Sequence, residues 1–270
     1  MPNVLSKHHV LIRGAGSHTL IFAHGFGCDH MVWSEVAPAF EKDYRVVTFD
    51  HVGCGLSKRG SFRDERHSSL KGYALDLLDI VDDISEEPVT VVGHSVSGMI
   101  GCLAASMLPN RFRQIITINP SPRYLNDDDG YTGGFEKADV MAMLDQIEHD
   151  QEGWARSLAP LVMENEDRPE LTDRLIRSFM AVDSMLLRRF AEATFLCDYR
   201  NELSKIPVPV DILYGRSDRV VPVSVVDYMA ERIPDVHCIP LEAKGHYPQL
   251  SAPEELIFKI RESLGRLEAR

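Results

Sequence analysis

The run Val89-Thr-Val-Val-Gly93-His94-Ser95-Val96-Ser97-Gly98 constrains the fold of this chain more than any other stretch. Its first half is almost wholly apolar and β-branched, the composition of a strand covered on both faces. The residues from Ser95 to Leu108 then follow a helical period. A buried strand that turns into a helix within two or three residues belongs to a parallel α/β sheet, and here the turn carries a serine at its apex.

The rest of the sequence repeats this rhythm. Strands are predicted at His8–Arg13, Thr19–Ala23, Arg45–Asp50, Val89–Gly93, Gln114–Asn119, Val210–Tyr214 and His237–Leu241, and amphipathic helices at Ser69–Ile84, Ser95–Leu108 and Pro253–Leu264. The rhythm stops between about Ser121 and Lys205, where Met, Leu and Phe recur in helical pattern and Pro122, Gly133-Gly134, Pro160, Pro169 and the Asn126–Asp129 cluster punctuate the chain into about four helices. So long an insertion between two strands is not a loop. The expected organisation is a core of 1–121 and 206–270 with a helical lid, 122–205, inserted in it.

The turn at Ser95 resembles the nucleophile elbow of α/β-hydrolases, which lifts a serine hydroxyl above the sheet toward a helix N-terminus. The strict G-x-S-x-G pattern wants glycine at 97, where this chain has Ser97, a side chain small enough for a helix passing close to its strand. A serine alcohol is a weak nucleophile and needs an aligned base, which in turn needs a group to hold its tautomer. Ala243-Lys244-Gly245-His246 follows the last predicted strand and offers His246; Asp218 sits just past the carboxyl end of Val210–Tyr214. Ser95, Asp218, His246 is the chain order that the fold uses. In His24-Gly25-Phe26-Gly27, the Phe26 N–H can pair with the Val96 N–H as two donors for an oxyanion. A haloalkane dehalogenase or epoxide hydrolase would need aspartate at the elbow.

Composition narrows the function. Lys and Arg number 29 against 41 Asp and Glu, a net charge of −12, and no basic stripe is present to track phosphates, so a nucleic-acid partner is not expected. The N-terminus lacks the apolar core of a secretory signal. The best apolar stretch, Val96–Leu108, is broken by Ser97 and Ser106 and is too short to span a bilayer. Five scattered cysteines without metal spacing suit a reducing, cytoplasmic setting. The histidines show no metal-binding spacing, and Gly53-Cys54-Gly55 lacks the rest of a phosphate loop, so neither metal nor cofactor is expected. His94 reads as structural, and the Glu164–Glu170 acidic patch as solvated surface.

The stretches HGFGCDHMVW, FDHVGCGLSK, VVGHSVSGMIG, SPRYLNDDDGYTGGFE, DRVVP and GHYPQLSAPEE resemble the family of the bacterial stress-pathway hydrolase RsbQ and the plant strigolactone and karrikin receptors. The similarity spans nearly the whole chain, and the plant members share Ser-Val-Ser at the elbow. It implies an α/β-hydrolase fold: a mostly parallel sheet with helices on both faces and a four-helix, V-shaped lid over an apolar pocket. It also implies slow hydrolysis of a small apolar ester or lactone, coupled to signalling through a protein partner. Ser95, Asp218 and His246 match the family's triad; Phe26 and Val96 match its oxyanion donors. Phe135, Met143, Trp154, Leu158, Phe179 and Phe195 match or approximate pocket-lining lid positions, with Phe26 and Val220 closing the pocket from the core. Leu158, Val220 and His51 depart from the plant receptors. A metabolic carboxylesterase or lactonase, or a cofactor-free perhydrolase, is the alternative on the same scaffold.

Overall fold

In the computed structural model, which describes residues 3–268, seven strands make one sheet: β1 Leu11–Arg13, β2 Thr19–Ala23, β3 Arg45–Phe49, β4 Val89–His94, β5 Phe112–Ile118, β6 Val210–Gly215 and β7 Val236–Leu241. Positions 1–2 and 269–270 of the expected core lie outside the described residues. The spatial order is β1-β3-β2-β4-β5-β6-β7. Only β1 runs antiparallel, pairing Leu11 with Thr48 at the edge; the other pairs are parallel. The helices are α1 Val4–Lys7, α2 Asp64–His67, α3 Leu70–Ile84, α4 Val96–Met107, α5 Lys137–His149, α6 Gln151–Met163, α7 Pro169–Ala181, α8 Ser184–Phe195, α9 Val223–Ala230, α10 Pro248–Ser251 and α11 Pro253–Glu268.

The central strands follow from their side chains. Every residue of β2 and of β4 is buried, which matches their unbroken apolar character and requires cover on both faces. α3 supplies part of that cover, burying Leu70, Tyr73, Leu77, Ile80 and Val81 while it packs along α4.

The N-terminus departs from expectation. The predicted strand His8–Arg13 is a strand only from Leu11, and α1 precedes it. His9 has φ +46°, a left-handed conformation that no strand accommodates. Its neighbour His8 is pulled into the interior, where its ring donates to the Asp50 carbonyl at 3.3 Å. Tertiary contacts here override an apolar, β-prone pattern.

Between β5 and β6 the chain forms α5 to α8, with α6 against both α5 and α7, and α5 against α8. The two ends of this insertion are tied together. The Tyr199 N–H donates to the Pro122 carbonyl at 2.9 Å, and Arg200 pairs with both Asp127 and Asp198 at 2.7 Å. Asp127 of the Asn126–Asp129 cluster thus acts as part of an electrostatic clasp rather than as simple loop punctuation. Ser178 on α7 anchors the insertion to the core by donating to the Gly27 carbonyl at 2.9 Å. Among the described residues no helix is long and apolar enough to cross a membrane.

Candidate active site

Ser95 sits between β4 and α4 with φ +54° and ψ −122°, a conformation that an L-residue adopts only when its surroundings hold it there. They do so by close packing. A Cβ at Gly93 would stand 2.5 Å from the Ser97 carbonyl oxygen, so only glycine lets the helix start this near the strand. The Ser95 N–H donates to Ile118 at the end of β5 at 2.7 Å, which ties the turn to the neighbouring strand.

The structure explains Ser97. Its side chain is fully buried, donates to the His24 carbonyl and accepts from His51 Nε2 at 2.7 Å. The tight approaches are at Gly93 and Gly98, while position 97 faces a small polar niche built by His24 and His51. Burial pushes the His51 imidazole well below its usual range, so it is neutral and donates one N–H. Ser97 and His51, both departures in the sequence, are one hydrogen-bonded pair.

Three side chains remote in sequence meet at Ser95. His246 Nε2 accepts from the Ser95 hydroxyl at 2.8 Å. His246 Nδ1 donates to Asp218 Oδ2 at 2.6 Å. The other Asp218 oxygen accepts the N–H groups of Val220 at 2.7 Å and Val221 at 3.2 Å, so the carboxylate is fixed in a turn and does not cap α9. The His246 and Asp218 side chains are 4% and 0% exposed, which removes competing water from both bonds.

Residues to which the sequence pattern assigned no catalytic role complete the arrangement, His94 among them as the structural residue it was expected to be. The His246 carbonyl accepts from His94 Nε2 at 2.8 Å and from Asn119 Nδ2 at 3.2 Å. Burial lowers the His94 pKa well below normal, which keeps that ring neutral. Asn119 itself has φ +49° and accepts the Gly215 N–H at 2.9 Å, bracing the strand that leads to Asp218. The Tyr124 hydroxyl lies 3.3 Å from Ser95 Oγ. Burial raises the phenol's pKa, and the single Ser95 proton points at His246, so Tyr124 is the donor in that bond. Tyr124 lies within the SPRYLND motif, which marked the segment but not the contact.

Above Ser95 is a cavity of about 30 Å³, lined by Phe26, Phe135, Met143, Leu158, Val162, Phe179, Phe195, Val220 and Tyr247 together with Ser95 and His246. Of the residues expected here, Trp154 alone stands behind the wall. It is 2% exposed, with its ring 4.8 Å from Phe179 and 6.1 Å from Phe26. Val162 and Tyr247 were not expected and face the cavity. Phe26 lies just past β2 and lines the cavity together with Ser95, and Val96 is the first residue of α4, directly after Ser95 in the chain. Phe26 is the aromatic hub of the cavity, with Phe195 at 5.4 Å and Phe190 at 5.9 Å between ring centres.

The sequence model of a family described as alpha/beta hydrolase fold matches residues 18–253. A karrikin insensitive 2 receptor CA from Petunia hybrida is 35% identical over 255 residues, covering 94% of each chain. A strigolactone esterase from Arabidopsis thaliana is 35% identical over 265 residues, covering 98% of each. Among solved structures, a hydrolase from Oleispira antarctica superposes with a TM-score of 0.94 at 35% identity, covering 97% of this chain and 96% of that one.

Proposed function

The chain belongs to the α/β-hydrolase family and is a carboxylesterase-type hydrolase, and from that premise we propose that it cleaves small, uncharged, apolar esters or lactones through Ser95, His246 and Asp218. The unbroken hydrogen-bond chain from Ser95 through His246 to Asp218 carries this reading. His246 Nε2 takes the Ser95 proton as Oγ attacks the carbonyl carbon. The Phe26 and Val96 N–H groups receive the developing oxyanion, and Asp218 stabilises the imidazolium. His246 then returns the proton to the leaving alkoxide. Water, deprotonated by the same imidazole, releases the acyl group, so the reaction consumes only ester and water.

The cavity supports two further steps. Its apolar walls favour an uncharged ligand, and a butenolide-like lactone fits the names of the receptor relatives. At about 30 Å³ it is an order of magnitude below the ~300 Å³ at which ligand pockets begin. Residues 122–205 therefore act as a lid on a core of 1–121 and 206–270, and must move for substrate to enter. Substrate capture then waits on lid opening, as suits a slow ligand sensor that signals to a protein partner. The five thiols, free of disulfides, agree with a cytoplasmic setting.

The test is labelling by a fluorophosphonate probe and hydrolysis of p-nitrophenyl acetate by wild type and Ser95→Ala. Both are expected to vanish in the variant; labelling that persists places the nucleophile elsewhere. Thermal shift on Ser95→Ala with butenolide lactones separates binding from turnover, and absence of any shift counts against the lactone assignment.

A further inference from the structure

The loops that carry Asp218 and His246 both rest on the last turn of α6, a contact that the proposed chemistry does not use. The His246 N–H donates to the Val162 carbonyl at 2.8 Å. Gly245 approaches so closely that a Cβ there would lie 2.2 Å from the Met163 carbonyl oxygen, and its φ of +79° is also one that suits glycine. Asn165 reaches across the junction, with Nδ2 donating to the Met163 carbonyl at 2.6 Å and the Lys244 carbonyl at 3.3 Å.

Glu164 ends α6 with φ +54°, in the left-handed conformation. That turn aims its side chain at the other loop. Oε2 accepts from the Ser217 hydroxyl at 2.8 Å, and Oε1 accepts from Arg219 Nε at 2.5 Å. These two residues flank Asp218. The Gly245 N–H donates to the Ser217 carbonyl at 3.2 Å and joins the two loops to each other. Glu164 is 15% exposed, so the sequence-based reading of this acidic patch as solvated surface does not hold for its first member.

We propose that Glu164 is a positioning residue: by gripping Ser217 and Arg219 it seats the Asp218 loop against the His246 loop, so that acid and base align only while the end of α6 is docked. The inference rests on the proposed roles of Ser95, His246 and Asp218. Leu158 and Val162, on the same helix, face the cavity. A movement of α6 that admits substrate therefore also loosens the base, and alignment returns on closure. Arg219 is 67% exposed, and an exposed ion pair adds little to folding. Its weight is geometric, since a displacement of ~1 Å at reacting groups can cost ~10²-fold in rate.

The experiment compares steady-state hydrolysis of p-nitrophenyl acetate, with melting temperatures, for the full chain and its variants. Arg219→Gln is expected to lower kcat by about tenfold, with KM within about twofold and the melting temperature unchanged. Glu164→Gln, which preserves the backbone turn and one acceptor, is expected to lower kcat as well, and the double variant no further than the worse single. Arg219→Lys restores a cation and most of the rate. Arg156→Gln, which breaks the exposed Arg156–Glu152 pair on the same helix, leaves kcat as it was. Wild-type kcat in both Arg219→Gln and Glu164→Gln overturns the proposal, as does a loss confined to KM or to the melting temperature. Ser95→Ala is assayed in parallel: turnover that persists there refutes the nucleophile and this inference together, whereas an inert Ser95→Ala beside full-speed Arg219→Gln and Glu164→Gln refutes the positioning role alone.

Discussion

Replacing Asp218 by asparagine tests the site by reversing which nitrogen of His246 carries the proton. One Asp218 oxygen faces the N–H groups of Val220 and Val221, and the other faces His246 Nδ1. In D218N the two backbone donors hold the amide oxygen, which turns the amide NH₂ toward His246. The imidazole then accepts at Nδ1 and carries its proton on Nε2, aimed at Ser95 Oγ, where a base is needed. Returning to the productive tautomer sets N–H against N–H at Nδ1 and leaves two buried donors unpaired, at ~1–3 kcal/mol each. That is ~2–6 kcal/mol, centred near a ~10³-fold loss in kcat. Loss of the charge facing the imidazolium moves the expectation toward the ~10⁴ typical of this change in a triad. The assay is kcat for p-nitrophenyl acetate at neutral pH, with thermal unfolding as a control. Because the turn at Val220 and Val221 survives, the melting temperature is expected to change little. A kcat within about tenfold of wild type, a barrier change below ~1.4 kcal/mol, refutes the reasoning.

Ser97→Ala strands the His24 carbonyl and the His51 N–H in the interior and is expected to destabilise the fold by about 2–6 kcal/mol in urea unfolding; an unchanged midpoint would mean that the two groups find other partners. Phe195→Ala removes a ring that touches Phe26, Tyr124 and Phe135. It should cost ~3–5 kcal/mol and raise the rate ratio of p-nitrophenyl butyrate to acetate; a ratio that does not rise removes Phe195 from acyl-chain selection. Burial lowers the His8 pKa from 6.5 to about 4, so the folded state binds its proton later than the unfolded chain does. Stability from this group is complete above pH 6.5 and is lost as pH falls from about 6.5 to about 4, on the order of 3 kcal/mol in all. The slope of melting temperature against pH in that window should flatten in His8→Gln, and an unaltered slope assigns the acid sensitivity to other groups.

Much of this protein is legible along the chain because its information is local. An apolar β-branched run such as Val89–Val92 has few options other than a buried parallel strand, and glycine at 93 marks where the helix must approach. The order of Ser95, Asp218 and His246 after successive strands is likewise readable, since a parallel sheet brings the carboxyl ends of its strands to one edge. Periodicity carries no distances, however. That Tyr124 donates to Ser95, that His94 and Asn119 hold the His246 carbonyl, and that Trp154 stands behind the cavity wall depend on how α4 to α8 settle on the sheet. His8–Val10 reads as strand yet is bent away from it by the burial of His8. Glu164 reads as a surface carboxylate, and only the docking of α6 brings it against Ser217 and Arg219. Pattern determines which side chains are apolar and which backbone can turn; the partner each polar group finds is decided when elements far apart in sequence close on one another and water is excluded between them.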